Sequence, residues 1–178
     1  MRKYVVLYLF ILISGILNAQ RYTSEKGHIT FFSDATIEDI EAENTIVGSL
    51  FNATSGEVVY IIKIRDFVFD KALMREHFNE KYMESEKYPK ATFQGRVVGF
   101  KPDIIGAQKV RAVGKLSMHG VVRDIDVPGS AENVNGKIHM KSKFIMKLED
   151  YNIKIPTLVW QNIAEQIEVS VDFIYKPA

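Results

Sequence analysis

The chain has no cysteine among its 178 residues. That excludes a disulfide framework, a thiol nucleophile, a thiolate metal site and a lipid-modified N-terminal cysteine. Net charge is nearly absent, with 23 Lys and Arg against 22 Asp and Glu. No bulk charge therefore draws the molecule to nucleic acid or to an anionic membrane surface. There is no internal repeat, no low-complexity tract and no Pro/Gly/Ser-rich linker, so the length fits one domain with a sizeable core. The G-x-S-x-G nucleophile elbow is missing. No hydrophobic run reaches the roughly 20 residues of a membrane-spanning helix.

The longest apolar run, residues 5–17, is relieved only by Tyr8, Ser14 and Gly15 and follows Arg2 and Lys3. Asn18-Ala19-Gln20 then offers a small residue for cleavage. This layout is that of a secretory signal peptide over 1–19, removed after Ala19. The expectation is an exported domain, 20–178, periplasmic or secreted, with no membrane span after processing. Loss of Arg2 and Lys3 turns the net charge from +1 to −1. Without disulfides, such a domain rests on hydrophobic burial.

What is present is alternation. In 137–148, Ile138, Met140, Ser142, Phe144, Met146 and Leu148 share one parity, and Lys137, His139, Lys141, Lys143 and Lys147 the other, with Ile145 as the exception. In 167–175, Ile167, Val169, Val171, Phe173 and Tyr175 oppose Glu168, Ser170 and Asp172. A period of two means one buried and one wet face. Shorter strands are expected over 29–34, 45–52, 57–64, 92–100, 110–118 and 121–127. The 57–64 strand is apolar on both faces and calls for cover outside as well as inside. His119-Gly120 and Asn135-Gly136 suit two-residue hairpin turns, because both central positions take positive φ. About eight strands at this spacing describe an antiparallel meander, and the fold class expected is a mainly-β, closed barrel.

One helix interrupts the strands. Asp70 is placed to cap its start. Leu73, Met74, His77, Phe78, Lys81 and Tyr82 then recur at helical spacing, and Pro89 forbids continuation. The apolar members, with Met83, form a stripe suited to closing one barrel end or covering the two-sided strand.

Three ordered segments resemble the YceI-like family of exported bacterial proteins. They are residues 73–78, Tyr88-Pro89-Lys90-Ala91-Thr92-Phe93, and Gly114-Lys115-Leu116-Ser117-Met118-His119-Gly120-Val121. The resemblance implies a lipocalin-like eight-stranded antiparallel barrel with a helix against it. It also implies a polyisoprenoid, or a similar amphiphilic lipid, held in the interior for transport or storage. The chain departs from the family pattern at Leu148-Glu149-Asp150-Tyr151-Asn152-Ile153, where an Arg-x-Asp-Phe-Gly segment is usual, and in the acidic stretch 36–44.

Strand parity selects an inward set of Tyr60, Ile62, Phe93, Met140, Phe144, Met146, Val169, Val171 and Phe173. Two readings of that set stand: the side chains fill a solid core, or they line a site for one slender apolar ligand. The resemblance favours the second. Arg65, next to Asp66, either meets an anionic headgroup at the barrel mouth or forms a surface ion pair. The stripe of Lys137, Lys141, Lys143 and Lys147 is a solubilising face or a dock for acidic headgroups.

No cofactor and no metal are implied. His28, His77, His119 and His139 contain no pair at ligand spacing. Glu38, Asp39, Glu41 and Glu43 lack the glycine and alternating ligands of a calcium loop. Ser117 and His119 are too close to a tight turn for a nucleophile–base pair. An enzyme is therefore not expected. Two alternatives stay open: a cavity isomerase or hydrolase needing a titratable group inside, and a stress or structural factor binding a protein through Leu73, Phe78 and Met83. Monomer and dimer fit the sequence equally well.

Overall fold

The alternating segments become the long staves of a closed sheet in the computed structural model, which describes residues 20–34, 39–155 and 164–178. The expected signal segment and Glu38 lie outside the described residues. The strands are β1 (Arg21–Ser33), β2 (Ile40–Asn44), β3 (Gly48–Asn52), β4 (Glu57–Lys63), β5 (Val68–Phe69), β6 (Lys90–Val98), β7 (Gln108–Met118), β8 (Val121–Val134), β9 (Lys137–Lys147) and β10 (Gln166–Pro177). The helix α1 (Ala72–His77) lies between β5 and β6. Named strands pair antiparallel in the order β10-β9-β8-β7-β6-β4-β3-β1-β2-β5, and β10 also pairs with β1. That last ladder closes the barrel and removes its edges.

Eight staves make the closed wall, because β2 and β3 share the same flank of β1. Strand β3 covers Arg21 to Thr23, while β2 covers Ile29 to Ser33. The crossing between them is fastened by Asn44, which is fully buried. Its side-chain amide donates to the Lys63 carbonyl at 3.1 Å, and its Oδ1 accepts from the Ile46 amide at 2.9 Å. Burying this side chain is tolerable because both ends of its amide are satisfied.

The hairpins at His119-Gly120 and Asn135-Gly136 form as expected, with φ of 51° and 76° in the first and 53° and 81° in the second. Two strands run longer than the alternation indicates. Strand β1 starts at Arg21 and passes through a register shift between Ser24 and Lys26. Strand β8 continues through Pro128-Gly129 to Val134. Pro128 is tolerated because of where its nitrogen faces. Its carbonyl accepts from Ser142 Oγ on β9 at 2.7 Å, so its own missing N–H points the same way. The β8–β9 ladder begins only at Gly129, and from Pro128 back to Val121 the two strands are unpaired with one another. A proline at the head of a ladder removes no hydrogen bond from it.

The helix departs from expectation. Lys71, not Asp70, occupies the cap position, and no side chain caps the first turn. Only Ala72–His77 is α-helical; Phe78–Tyr82 widens into a π-helical turn, with the Met83 amide bonded to the Phe78 carbonyl at 2.8 Å. That extra residue in the turn lets Phe78, Tyr82 and Met83 all face the barrel, which a regular 3.6-residue period does not. The helix closes one end and leaves the outer face of β4 uncovered, where Ile61 stays 47 % exposed.

The lysine stripe on β9 is paired. Lys141 meets Asp172 at 2.9 Å and Lys143 meets Glu168 at 2.7 Å across the β9–β10 ladder, and Lys137 meets Glu25. Glu25 is held below the usual carboxylate range, chiefly by its hydrogen bond from Lys137. A face neutralised in this way solubilises the barrel and leaves little free positive charge for anionic headgroups.

Candidate functional site

The barrel interior has two unlike halves. At the end away from α1, it is solid. Tyr22, Phe51, Phe173 and Tyr175 interlock there, with Phe51 and Tyr175 ring centroids 5.8 Å apart and Phe173 and Tyr175 also 5.8 Å apart. Phe173, Tyr175 and Ile138 have no exposed surface at all. At the end under α1, a cavity of about 450 Å³ opens among apolar side chains. This is in the size range of small-molecule sites.

Of the inward set expected from parity, Tyr60, Ile62, Phe93, Phe144, Met146, Val169 and Val171 line the cavity. Met140 and Phe173 share the same parity but lie one level deeper, packed in the solid end rather than on the cavity wall. Parity gives the side of a strand and not the height at which the filling starts. Other lining residues had weaker signals. Ile29, Phe31 and Ser33 lie on a strand whose start is polar, and Ile125 and Val127 alternate with Asp124 and Asp126 only briefly before Pro128. Phe67 and Phe69 follow a turn and belong to no long pattern.

The floor is built by close backbone approach. Gly95 of β6 faces Gly114 of β7, and a β-carbon on either would run into the opposite main chain. The space above Gly95 is taken by the Phe93 ring. Tyr60 meets Phe93 at 5.9 Å and Phe173 at 4.8 Å, so three rings seal the bottom.

The roof is the lid segment. Met74, His77, Phe78, Tyr82 and Met83 line the cavity from above. Phe78 is gripped by Phe31, Phe67 and Phe69 at centroid distances of 5.5, 5.7 and 5.0 Å. Leu73 is 61 % exposed, Phe78 half-buried and Met83 buried. The stripe is thus mostly spent on closing the barrel, which leaves little of it for a protein partner.

The two serine hydroxyls of the lining are occupied elsewhere, while His77 and Tyr82 bring polar side chains to the lid side. Ser142 Oγ donates to the Pro128 carbonyl, and Ser33 Oγ accepts from the Ala164 amide at 3.0 Å. Ser49 Oγ donates to the Val59 carbonyl at 2.8 Å, so its oxygen serves as acceptor for the Tyr175 hydroxyl 2.7 Å away. Burial raises the Tyr60 phenol and pushes that of Tyr175 well above the tyrosine range. Each water in such a space needs two to four polar partners. The lining is otherwise aliphatic and aromatic, and the cavity suits a mainly hydrocarbon guest.

Arg65 does not line the cavity. It sits in the turn after β4, where its Nη2 donates to Glu86 Oε1 at 3.0 Å and its Nε to Ser85 Oγ at 3.3 Å. Its side chain is 59 % exposed, so it forms a surface ion pair beside the lid. His119 is structural: Nδ1 donates to the Tyr151 carbonyl at 2.9 Å, Nε2 lies 3.2 Å from Glu84, and its ring meets Tyr88 edge to face. Ser117 stays on the outer parity of β7, and no nucleophile–base pair with His119 is assembled. Among the described residues, no three His, Asp or Glu side chains gather as a metal site, and no helix is long and apolar enough to cross a membrane.

Comparison with known proteins agrees with this architecture. No curated protein matches the chain. A polyisoprenoid binding domain from Saccharophagus degradans, implicated in plant cell wall breakdown, superposes with a TM-score of 0.77 at 16% identity, over 88% of this chain and 98% of that one. BcnA of Burkholderia cenocepacia gives 0.71 at 14% identity, over 83% and 95%. The Campylobacter jejuni YceI protein gives 0.56 at 18% identity, over 90% and 85%. These likenesses concern the fold. The model of the YceI-like domain matches residues 20–175, and the chain belongs to that family.

Proposed function

We propose that the protein is an exported binder of an isoprenoid-like or similar amphiphilic chain, which it holds in the cavity beneath α1 for transport or storage. The observation that carries this reading is the apolar cavity of about 450 Å³, whose two serine hydroxyls are turned to partners in the wall. A methylene moved from water into such a lining gains about 0.8 kcal/mol, so a chain is retained without a strong polar contact. The likeness to a polyisoprenoid binding domain supports the same ligand class. Export is supported by the layout of residues 1–19 and by the family match beginning at Gln20.

Binding is tested by calorimetric titration of the 20–178 protein with geranylgeraniol. Saturable binding is expected, weakened about tenfold or more by Ala112→Phe, which projects a ring into the cavity. Absence of binding by a folded protein defeats the reading. Export is tested separately by cell fractionation and N-terminal sequencing, with a mature start at Gln20 expected.

A further inference from the structure

We propose that Phe173 is the stop that sets how long an apolar chain the cavity accepts. This deepens the lipid-binding reading and rests on it.

Along β10, Ile167, Val169 and Val171 successively line the cavity, and the next inward residue, Phe173, is the first that does not. Along β4 the same change occurs between Tyr60, which lines, and Val58, which is packed in the solid end. The boundary therefore lies where the Phe173 ring meets the Tyr60 ring, edge to face at 4.8 Å.

That ring is clamped. On one side lies Gly27 of β1, where a β-carbon would stand 2.6 Å from Phe173 Cε1 and 2.8 Å from the Val47 carbonyl. The seat for the ring exists because residue 27 has no side chain. Below lies the Tyr175 ring, stacked at 25° and tied through its hydroxyl to Ser49. Tyr60 closes the remaining side. With all three neighbours fixed, Phe173 cannot swing aside for a longer guest, since interiors repack in discrete steps.

The consequence is a length profile. A chain entering beneath α1 gains transfer energy for each unit it buries until its end meets Phe173. Longer chains leave their excess in water and gain nothing more. Shortening Phe173 opens space continuous with the cavity, and the limit moves outward.

The test is displacement of a fluorescent fatty-chain probe by geraniol, farnesol, geranylgeraniol and solanesol. It is run on the wild type, Phe173→Leu and Phe173→Ala, with folding checked by melting. Wild-type affinity is expected to rise with length and then level off. In Phe173→Ala the levelling point shifts to a longer prenol, and the long-to-short preference ratio rises about tenfold, with Phe173→Leu between. If Phe173→Ala does not fold, Phe173→Leu carries the test. An unchanged profile in a folded variant overturns the stop, as does a uniform loss of affinity at every length. Failure of every prenol to displace the probe from the wild type is a different result: it removes the lipid-binding reading and the stop with it.

Discussion

Phe78, on the turn that follows α1, stacks on Phe31 of β1 with ring centroids 5.5 Å apart and planes 22° apart. This contact ties the lid to the barrel wall, and Phe67 and Phe69 complete the grip. Phe78→Ala is expected to cost about 2–3 kcal/mol, somewhat below a full core truncation because the ring is half-buried. Dissociation of a bound apolar probe should quicken about tenfold or more, measured by stopped-flow displacement. A variant with lowered melting temperature and an unchanged off-rate would show that the lid does not control exit.

Within the solid end of the barrel, the Tyr175 hydroxyl is hydrogen-bonded to Ser49 Oγ. Tyr175→Phe removes one buried bond while Ser49 keeps its bond to the Val59 carbonyl. A loss of about 1 kcal/mol is expected by chemical denaturation at neutral pH. Burial, its largest cause, raises the Tyr175 phenol in the folded state. The stability linked to that group is therefore complete below the ordinary tyrosine range and is lost as pH rises above it. The alkaline limb of the stability curve should be shallower in Tyr175→Phe, and an identical limb would contradict the assignment.

On the acid side, the Arg111–Asp126 pair gives a sign that is opposite. The guanidinium holds both carboxylate oxygens, at 2.7 Å through Nε and 2.6 Å through Nη2, across the β7–β8 ladder. The hydrogen bond from Arg111 keeps the Asp126 carboxyl below its usual range. Its contribution is present above the ordinary aspartate range and disappears as pH falls through the lowered value. Asp126→Asn should flatten part of the acid limb, with the difference between wild type and variant shrinking at high salt because the pair is at the surface. A difference that grows with salt would rule out the ion pair as its source.

Gly95 opposite Gly114 is a second structural device with a measurable consequence. A methyl group at residue 95 would press on the Val113 carbonyl and on the Phe93 ring that roofs the glycine. Gly95→Ala is expected to destabilise by about 3 kcal/mol and to disturb the cavity floor, since backbone cannot yield as a flexible side chain does. Gly136→Ala, at a turn with open space around it but φ of 81°, should cost only about 1 kcal/mol. Equal losses at the two sites would contradict the close-approach argument.

Much of the barrel was legible in the chain because its strands are antiparallel and wet on one side. Lys137 to Lys147 alternates with Ile138 to Met146 almost without a break, and the two Gly turns mark the hairpins. What was hidden has physical causes. Strand β1 begins in polar residues and passes through a register shift that interrupts its alternation, and Pro128 lies inside β8 because no partner strand needs its donor there. The π-helical turn at Phe78–Tyr82 answers to packing against Phe31 rather than to local propensity. In the cavity, seven of nine expected side chains line the wall, while Met140 and Phe173 fill the level beneath it. That division depends on ring–ring packing around Tyr60 and Phe173, which no periodicity encodes.

The most direct measurement is organic extraction of the protein purified from its native cells, followed by mass spectrometry of the extract. The account predicts a chain-like, largely hydrocarbon lipid in near-equal amount to the protein, and much less of it in a parallel preparation of Ala112→Phe. Lipid-free protein that also fails to take up added prenols, with its cavity still open, would contradict it.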